Sequence, residues 1–191
     1  MSSLTTKKAI AYTFKDLLKE KPFNKITIND IAKKCDINRQ TFYYHFKDIR
    51  DLVEWICIEE VDNILSRKNE YDQWEDKFLS IFELMEKEKK FIINIYHSVS
   101  SEILRKNLYR LVYPIIYEEV VKRSKFQEIS EIDKKFITNF YKYAFVSIVL
   151  DWIENNMEDD PNLIVFKVSN LITGTIEHAC IAINDGVSMY Y

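Results

Sequence analysis

Seven polar or aromatic side chains fall within nine consecutive positions near the N-terminus: Arg39, Gln40, Thr41, Tyr43, Tyr44, His45 and Lys47. The planar donor fork of arginine matches guanine O6 and N7, and the carboxamide of glutamine matches adenine N6 and N7 in the major groove. Tyr44 is suited to a thymine methyl or a base edge. Thr41, Tyr43, His45 and Lys47 offer donors suited to phosphate oxygens, which fix a protein on a duplex without reading its sequence. The set suits recognition of double-stranded DNA rather than the making or breaking of bonds.

Such side chains must be turned outward by a rigid support, and the surrounding residues provide one. Phe42 and Phe46 lie four apart, one helical turn, and form an inward anchor for a short helix over 39–45. Asn38 is its expected cap. A preceding helix begins after Thr27, with Asp30 three residues on as a carboxylate version of the capping box. Ile26 and Ile31 are spaced as a hydrophobic staple, and Ala32 is small where helices meet. Asn29, at the start of this helix, reaches a base or a phosphate. Between the two helices lie Cys35, Asp36 and Ile37. The turn needs a residue tolerant of the left-handed region, usually glycine, and aspartate is acceptable there. A first helix over 6–19 presents Ile10, Phe14, Leu17 and Leu18 on one face, and Pro22 follows its end. Two short helices joined by a tight turn are a helix-turn-helix. The candidate DNA-contacting residues are Thr27, Asn29, Asn38, Arg39, Gln40, Thr41, Tyr43, Tyr44, His45 and Lys47. If the tyrosines were merely core aromatics, Phe42 and Phe46 would be redundant; if they were merely surface, two adjacent exposed rings would reduce solubility.

The 191 residues include 47% hydrophobic side chains, enough for a substantial core, but two glycines and three prolines. So few turn residues exclude sandwiches and barrels, and two glycines cannot write a phosphate-cradling GxGxxG or GxxxxGK loop. The net charge of −3 hides an asymmetry: residues 1–55 hold eleven Lys/Arg and seven Asp/Glu, a net of +4, leaving −7 for the remainder. A basic head on an acidic body suits a protein that meets phosphates at one end. The three scattered cysteines, Cys35, Cys57 and Cys180, form no CxxC and suggest reduced thiols in a cytoplasm. The most apolar run, 136–153, is interrupted by Asn139, Lys142 and Asp151, so no membrane span is expected.

The rest of the chain reads as helices. A fourth runs from the Asp48 cap to about residue 67, burying Leu52, Val53, Ile56 and Ile64. A fifth follows Asp72 as cap, with Trp74, Phe78, Ile81, Phe82 and Met85 inward. A sixth covers 89–97, and a seventh covers 101–123 with Pro114 inside it, where a kink is expected. The eighth covers about 131–156. The ninth opens with Asp160 and Pro161, runs to about 184, and is ended by Gly186. The expected architecture is therefore all-α, about nine helices. A three-helix DNA-binding domain (1–50) precedes a helical bundle (51–191).

Two features of the bundle admit a functional and a structural reading. The eighth and ninth helices are apolar on more than one side: Phe136, Ile137, Phe140, Ala144, Ile148 and Trp152 on one; Ile164, Leu171, Ile172, Thr175, Ile176, Ala179 and Ile183 on the other. They form either a homodimer interface or the monomer core. The first is favoured because so small a head reads palindromic DNA as a pair. Tyr96, His97, Tyr109, Tyr113, Tyr117, Tyr143 and Trp152 are an aromatic and polar set in the middle helices that makes up either a tyrosine-rich core or a set with a function of its own. Three isolated histidines without carboxylate or thiol companions supply no metal site, and no catalytic constellation appears. No cofactor and no enzymatic activity are expected.

Residues 10–53 resemble the DNA-binding domain of the TetR family of transcriptional regulators. The shared pattern is T-x-x-D-I-A, here Thr27, Asp30, Ile31 and Ala32, followed by T-F-Y-x-H-F, here Thr41, Phe42, Tyr43, His45 and Phe46. Asp36 replaces the turn glycine, and Ile49 occupies the position of a lysine, flanked by Lys47 and Arg50. More loosely, Leu150–Glu154 and Gly174–His178 resemble regulators of the dihydroxyacetone kinase type. The family resemblance implies a homodimer on a DNA operator and a body (51–191) that binds a small-molecule effector in a pocket lined by Tyr96, His97, Tyr109, Tyr113, Tyr117, Tyr143 and Trp152. The looser one implies an activator whose body docks a co-activator protein.

Overall fold

The computed structural model describes residues 3–66, 73–98, 100–125, 129–172 and 174–187. Among these residues there are ten α-helices, one 3-10 turn and no strand. The chain divides into two compact units, Met1–Asn63 with Glu88–Asn107, and Ile64–Lys87 with Leu108–Tyr191.

The first unit is built on α1 (Ser3–Glu20), whose buried face is Ile10, Ala11, Phe14, Leu17 and Leu18. Packed with it are α2 (Ile28–Lys34), α3 (Arg39–His45) and α6 (Lys89–Tyr96). Phe14 meets Phe23 and Phe91 edge-on, at 6.1 and 6.4 Å between centroids, so aromatic packing ties the 3-10 turn Phe23–Lys25 and α6 to α1. Lys15 joins two further segments: its ammonium reaches Glu60 at 2.8 Å and Glu88 at 3.1 Å. α4 (Ile49–Ser66) buries Leu52, Val53, Ile56, Cys57 and Val61. Ile64, expected in that line, is only half-buried.

The second unit contains α5 (Trp74–Lys87), most of α7 (Ser101–Arg123), α8 (Glu131–Glu154), α9 (Pro161–Ile172) and α10 (Thr175–Val187). The expected α5 stripe, Trp74, Phe78, Ile81, Phe82 and Met85, is buried. It meets Phe145 of α8, 4.1 Å from Phe78, and Trp152, 4.9 Å from Phe82. Asp72, expected to cap α5, lies outside the described residues. Pro114 sits inside a continuous α7. Ser130 accepts from the Asp133 amide to cap α8, and Asp160 accepts from the Asn162 amide ahead of α9.

The expected ninth helix is two helices. Gly174 adopts φ +83 between α9 and α10, a left-handed value that interrupts the α-helical ladder and that glycine tolerates. Sequence periodicity is blind to this break because the apolar spacing resumes after it. Gly186 lies within α10 rather than after it.

Candidate nucleic-acid interface

Local chemistry sets the ends of α2 and α3 closely. At the start of α2 the Thr27 amide and hydroxyl donate to Asp30 Oδ2 at 2.8 and 2.7 Å, and the Asp30 amide donates back to Thr27 Oγ1 at 3.2 Å. Lys21 adds a 2.8 Å ion pair to the same carboxylate. The Lys21 ammonium, then the Thr27 hydroxyl and amide, hold the Asp30 carboxyl well below the usual carboxylate range. At the other end, the Asp36 amide donates to the Lys33 carbonyl and the Ile37 amide to the Ala32 carbonyl. With Asp36 at φ 53, this is a Schellman closure, with aspartate at the left-handed position that glycine usually takes.

Asn38 caps α3. Its Oδ1 accepts the Thr41 amide at 2.7 Å and the Thr41 hydroxyl at 3.0 Å. Phe42 and Phe46 are 0% and 2% exposed, with rings 5.9 Å apart, and Phe46 meets Trp55 at 5.8 Å. With that face fixed, Arg39 and Gln40 are exposed, and Tyr43 and Tyr44 are 49% and 81% exposed. His45 is half-buried with its ring against Tyr44 at 5.0 Å. Lys47 is exposed beyond the helix end, while its amide donates to Asp51 Oδ2 at the start of α4. One short helix therefore presents a guanidinium, a carboxamide and two phenols opposite a face locked by two buried rings.

Comparison with known proteins places this geometry. The model for bacterial regulatory proteins of the tetR family matches residues 15–56, and one described as a transcriptional regulator C-terminal region matches residues 72–174, more than half the chain. The chain belongs to the TetR family of transcriptional regulators. Its relatives include the HTH-type dhaKLM operon transcriptional activator DhaS of Lactococcus lactis, 25% identical over 158 residues, 79% of this chain and 81% of that protein. A solved structure of the dihydroxyacetone kinase operon activator DhaS shares the fold, with TM-score 0.72, 21% identity, and coverage of 91% of this chain and 97% of that one. A TetR regulator from Streptococcus agalactiae 2603V does so with TM-score 0.62 and 19% identity over 89% and 94% of the two chains. The protein is thus an all-α, DNA-binding transcriptional regulator, and its relatives are regulators rather than enzymes.

Within this TetR-family head, the residues read as DNA contacts are not equally free. Asn29, Arg39, Gln40, Tyr44 and Lys47 are exposed with no ion pair among the described residues. The Thr27 and Thr41 hydroxyls, and the Asn38 oxygen, are engaged in the caps. Any phosphate contact by Thr27 or Thr41 must redirect a hydrogen already donated within the chain. Sequence reading missed a link on α3 itself: Arg39 Nη2 donates to the Tyr43 hydroxyl at 3.4 Å, and its guanidinium lies 6.0 Å from that ring. Their four-residue spacing was the available signal.

The residues read as an effector set are divided between the two units. Tyr96 and His97 belong to the first unit, where His97 lines a groove of about 560 Å³ with Pro22, Phe23, Asn24, Ile93, Asn94 and Ser98. Trp152 is a core residue, 2% exposed, its Nε1–H donating to the Asp159 carbonyl at 2.9 Å. Its ring packs edge-on against Phe82, 4.9 Å between centroids. Tyr109, Tyr113, Tyr117 and Tyr143 do come together in the second unit: Tyr113 and Tyr117 stack at 5.9 Å, and Tyr109 meets Tyr143 at 5.3 Å. Among the described residues no group of three His, Cys, Asp or Glu could hold a metal, and no helix is long and apolar enough to cross a membrane.

Proposed function

We propose that two copies of the chain bind a double-stranded DNA operator, each inserting α3 into a major groove. Residues 1–50 do the reading, and 51–191 do the pairing and sensing. The observation that carries this is the sidedness of α3, with Phe42 and Phe46 buried beneath exposed Arg39, Gln40, Tyr43 and Tyr44. Arg39 and Gln40 read base edges, with Tyr44 beside them. Asn29, Tyr43, His45 and Lys47, together with the cap residues Thr27, Asn38 and Thr41, hold the phosphates. A regulator acting on chromosomal DNA works in the cytoplasm.

Pairing is supported by a second apolar surface. On α8, Ile132, Phe136, Phe140 and Tyr143 recur at helical spacing and are 51–79% exposed; on α9, Leu163, Phe166 and Leu171 are 48–69% exposed. These side chains lie opposite the buried Ile137, Phe145, Val149 and Trp152. An outward stripe of this size marks a contact surface, and a self-complementary patch closes a C2 dimer.

The body's signal is read in two ways. In the first, a small molecule binding the tyrosine-rich part of the second unit prefers one spacing of the two heads, which is the condition for any ligand to shift them. In the second, favoured by the relative named as a transcriptional activator, the body docks a co-activator protein. Operator binding altered by a metabolite alone supports the first; binding altered by a co-purifying protein and by no metabolite supports the second.

The reading is tested by footprinting the operator and measuring affinity for single base-pair variants. Half-sites centred about 34–36 Å apart are expected. Arg39→Ala should relax specificity at one base pair by about 1–3 kcal/mol. An equal loss on every operator variant would remove Arg39 from the reading set.

A further inference from the structure

Among the described residues two lysines are buried, Lys77 and Lys142, and Lys15 is half-buried. Lys15 has Glu60 and Glu88, and Lys77, 8% exposed, has Glu118 at 3.0 Å. Lys142, also 8% exposed, has no carboxylate within ion-pair distance among the described residues. It occupies an inward register of α8, one turn from the buried Thr138 and Phe145. Its ammonium donates to Asn139 Oδ1 at 2.7 Å and lies 4.3 Å from the Tyr143 ring centroid, 5.1 Å from that of Tyr109 and 5.6 Å from that of Tyr113.

Three ring faces and one amide oxygen offset part of the cost of removing an ammonium from water, yet they leave its full positive charge in place. The remaining polar groups do not neutralise it. The Tyr109, Tyr113 and Tyr143 hydroxyls make no hydrogen bond within the described chain, and each is a donor as readily as an acceptor. An ammonium with hydrogens to spare, ringed by uncommitted phenols and lacking a counter-charge, is chemically the complement of a small oxyanion.

We propose that Lys142 anchors a site for a small ligand bearing a carboxylate or phosphate group, with Tyr109, Tyr113 and Tyr143 enclosing it. This rests on the reading of the second unit as the effector-binding part and supplies the ligand's chemical class. Tyr143 is 51% exposed and also belongs to the outward α8 stripe, so the site borders the surface read as the dimer face.

The test is thermal melting of the full chain titrated with sodium acetate or sodium phosphate, ionic strength being held constant with sodium chloride. One of the two should raise Tm saturably, by about 5–10 °C at a hundredfold excess over Kd; which one does so separates a carboxylate from a phosphate ligand. The rise should vanish in Lys142→Met, persist with altered affinity in Lys142→Arg, and be unchanged in Lys135→Ala, an exposed lysine of the same helix. Should Lys142→Met not melt cooperatively, the wild-type Lys142 Nζ resonance must move on saturation with the same anion. No saturable rise with either anion, a full rise in Lys142→Met, or an Nζ resonance that stays put would each make Lys142 a structural clamp only. Operator affinity of the wild-type chain without added anion is measured separately. Its absence would overturn the regulator reading while leaving the anion titration interpretable.

Discussion

On the proposed pairing of two copies through the outward face of α8, truncating Phe140 should split the dimer while leaving the fold intact. An aromatic side chain buries roughly 200 Å², and Phe140 is 64% exposed in the single chain, which leaves about 130 Å² to be covered by a partner. At ~25 cal/mol per Å² that is about 3 kcal/mol, and two-fold symmetry counts it twice. Alanine retains roughly a third of that area, so Phe140→Ala should weaken dimerisation by about 4 kcal/mol, or about three orders of magnitude in Kd at 1.4 kcal/mol per tenfold. Association entropy is common to variant and wild type and leaves the difference largely untouched. Sedimentation velocity across a nanomolar to micromolar series reads the shift. Helical circular dichroism should be unchanged, because within the chain the ring meets Tyr141 edge-on at 5.5 Å rather than the core. Tyr12→Ala, at a 73% exposed aromatic of the first unit, is the control and should leave Kd alone. A wild-type chain that sediments as a monomer at micromolar concentration would refute the argument. So would Phe136→Ala and Phe140→Ala dimers within twofold of wild-type affinity.

Four further outcomes are expected. Lys47→Ala should weaken binding to all operator variants alike and reduce the slope of log K against log salt by about one, read by fluorescence anisotropy. Asp30 has a folded-state carboxyl held below its ordinary 3.8, chiefly by Lys21, so its stabilisation is present above about pH 4 and is lost as pH falls further. Acid titration of stability should show a shallower loss in Asp30→Asn. Burial pushes the Cys57 thiol up to about 12, so Ellman's reagent at pH 8 should leave native Cys57 unmodified and reach it on unfolding, while the half-buried Cys35 reacts first. Gly174→Ala should lower Tm by about 2–8 °C through backbone strain at φ +83, since nothing lies within 4 Å of the added carbon.

The helix-turn-helix was legible because its signals are local. A capping residue, a staple and a four-residue aromatic spacing each act within one or two turns, and neighbouring sequence cannot disguise them. Even Asp36, the residue that departs from glycine, could be assigned the left-handed position from the surrounding helix ends. The break at Gly174 was not legible. An isolated glycine in a helical pattern is read as tolerated, and Ile172 and Ile176 keep the apolar period across it. Trp152 shows a related limit of sequence: periodicity shows that a side chain faces inward but not that its ring meets Phe82 and its Nε1–H the Asp159 carbonyl.

Charge shows most clearly where sequence arithmetic stops. A net of +4 over residues 1–55 gives the right sign for meeting phosphates but not the cations that meet them. Lys34 is held at 2.6 Å by both Asp16 and Glu20, Lys21 by Asp30, and Lys15 by Glu60 and Glu88. Lys33, Arg39, Lys47 and Arg50 are exposed without an ion pair among the described residues. Counterion release follows phosphates neutralised rather than lysines encoded, so the salt dependence should track the second group. Charge reversal at Lys34 should disturb the packing of α2 on α1 before it disturbs the salt slope, whereas reversal at Lys47 should do the opposite. The same pairing logic is what makes Lys142 stand apart: the half-buried Lys15 and the buried Lys77 each meet a carboxylate supplied by a distant part of the chain, and no local pattern around residue 142 reveals that none of the described carboxylates reaches it.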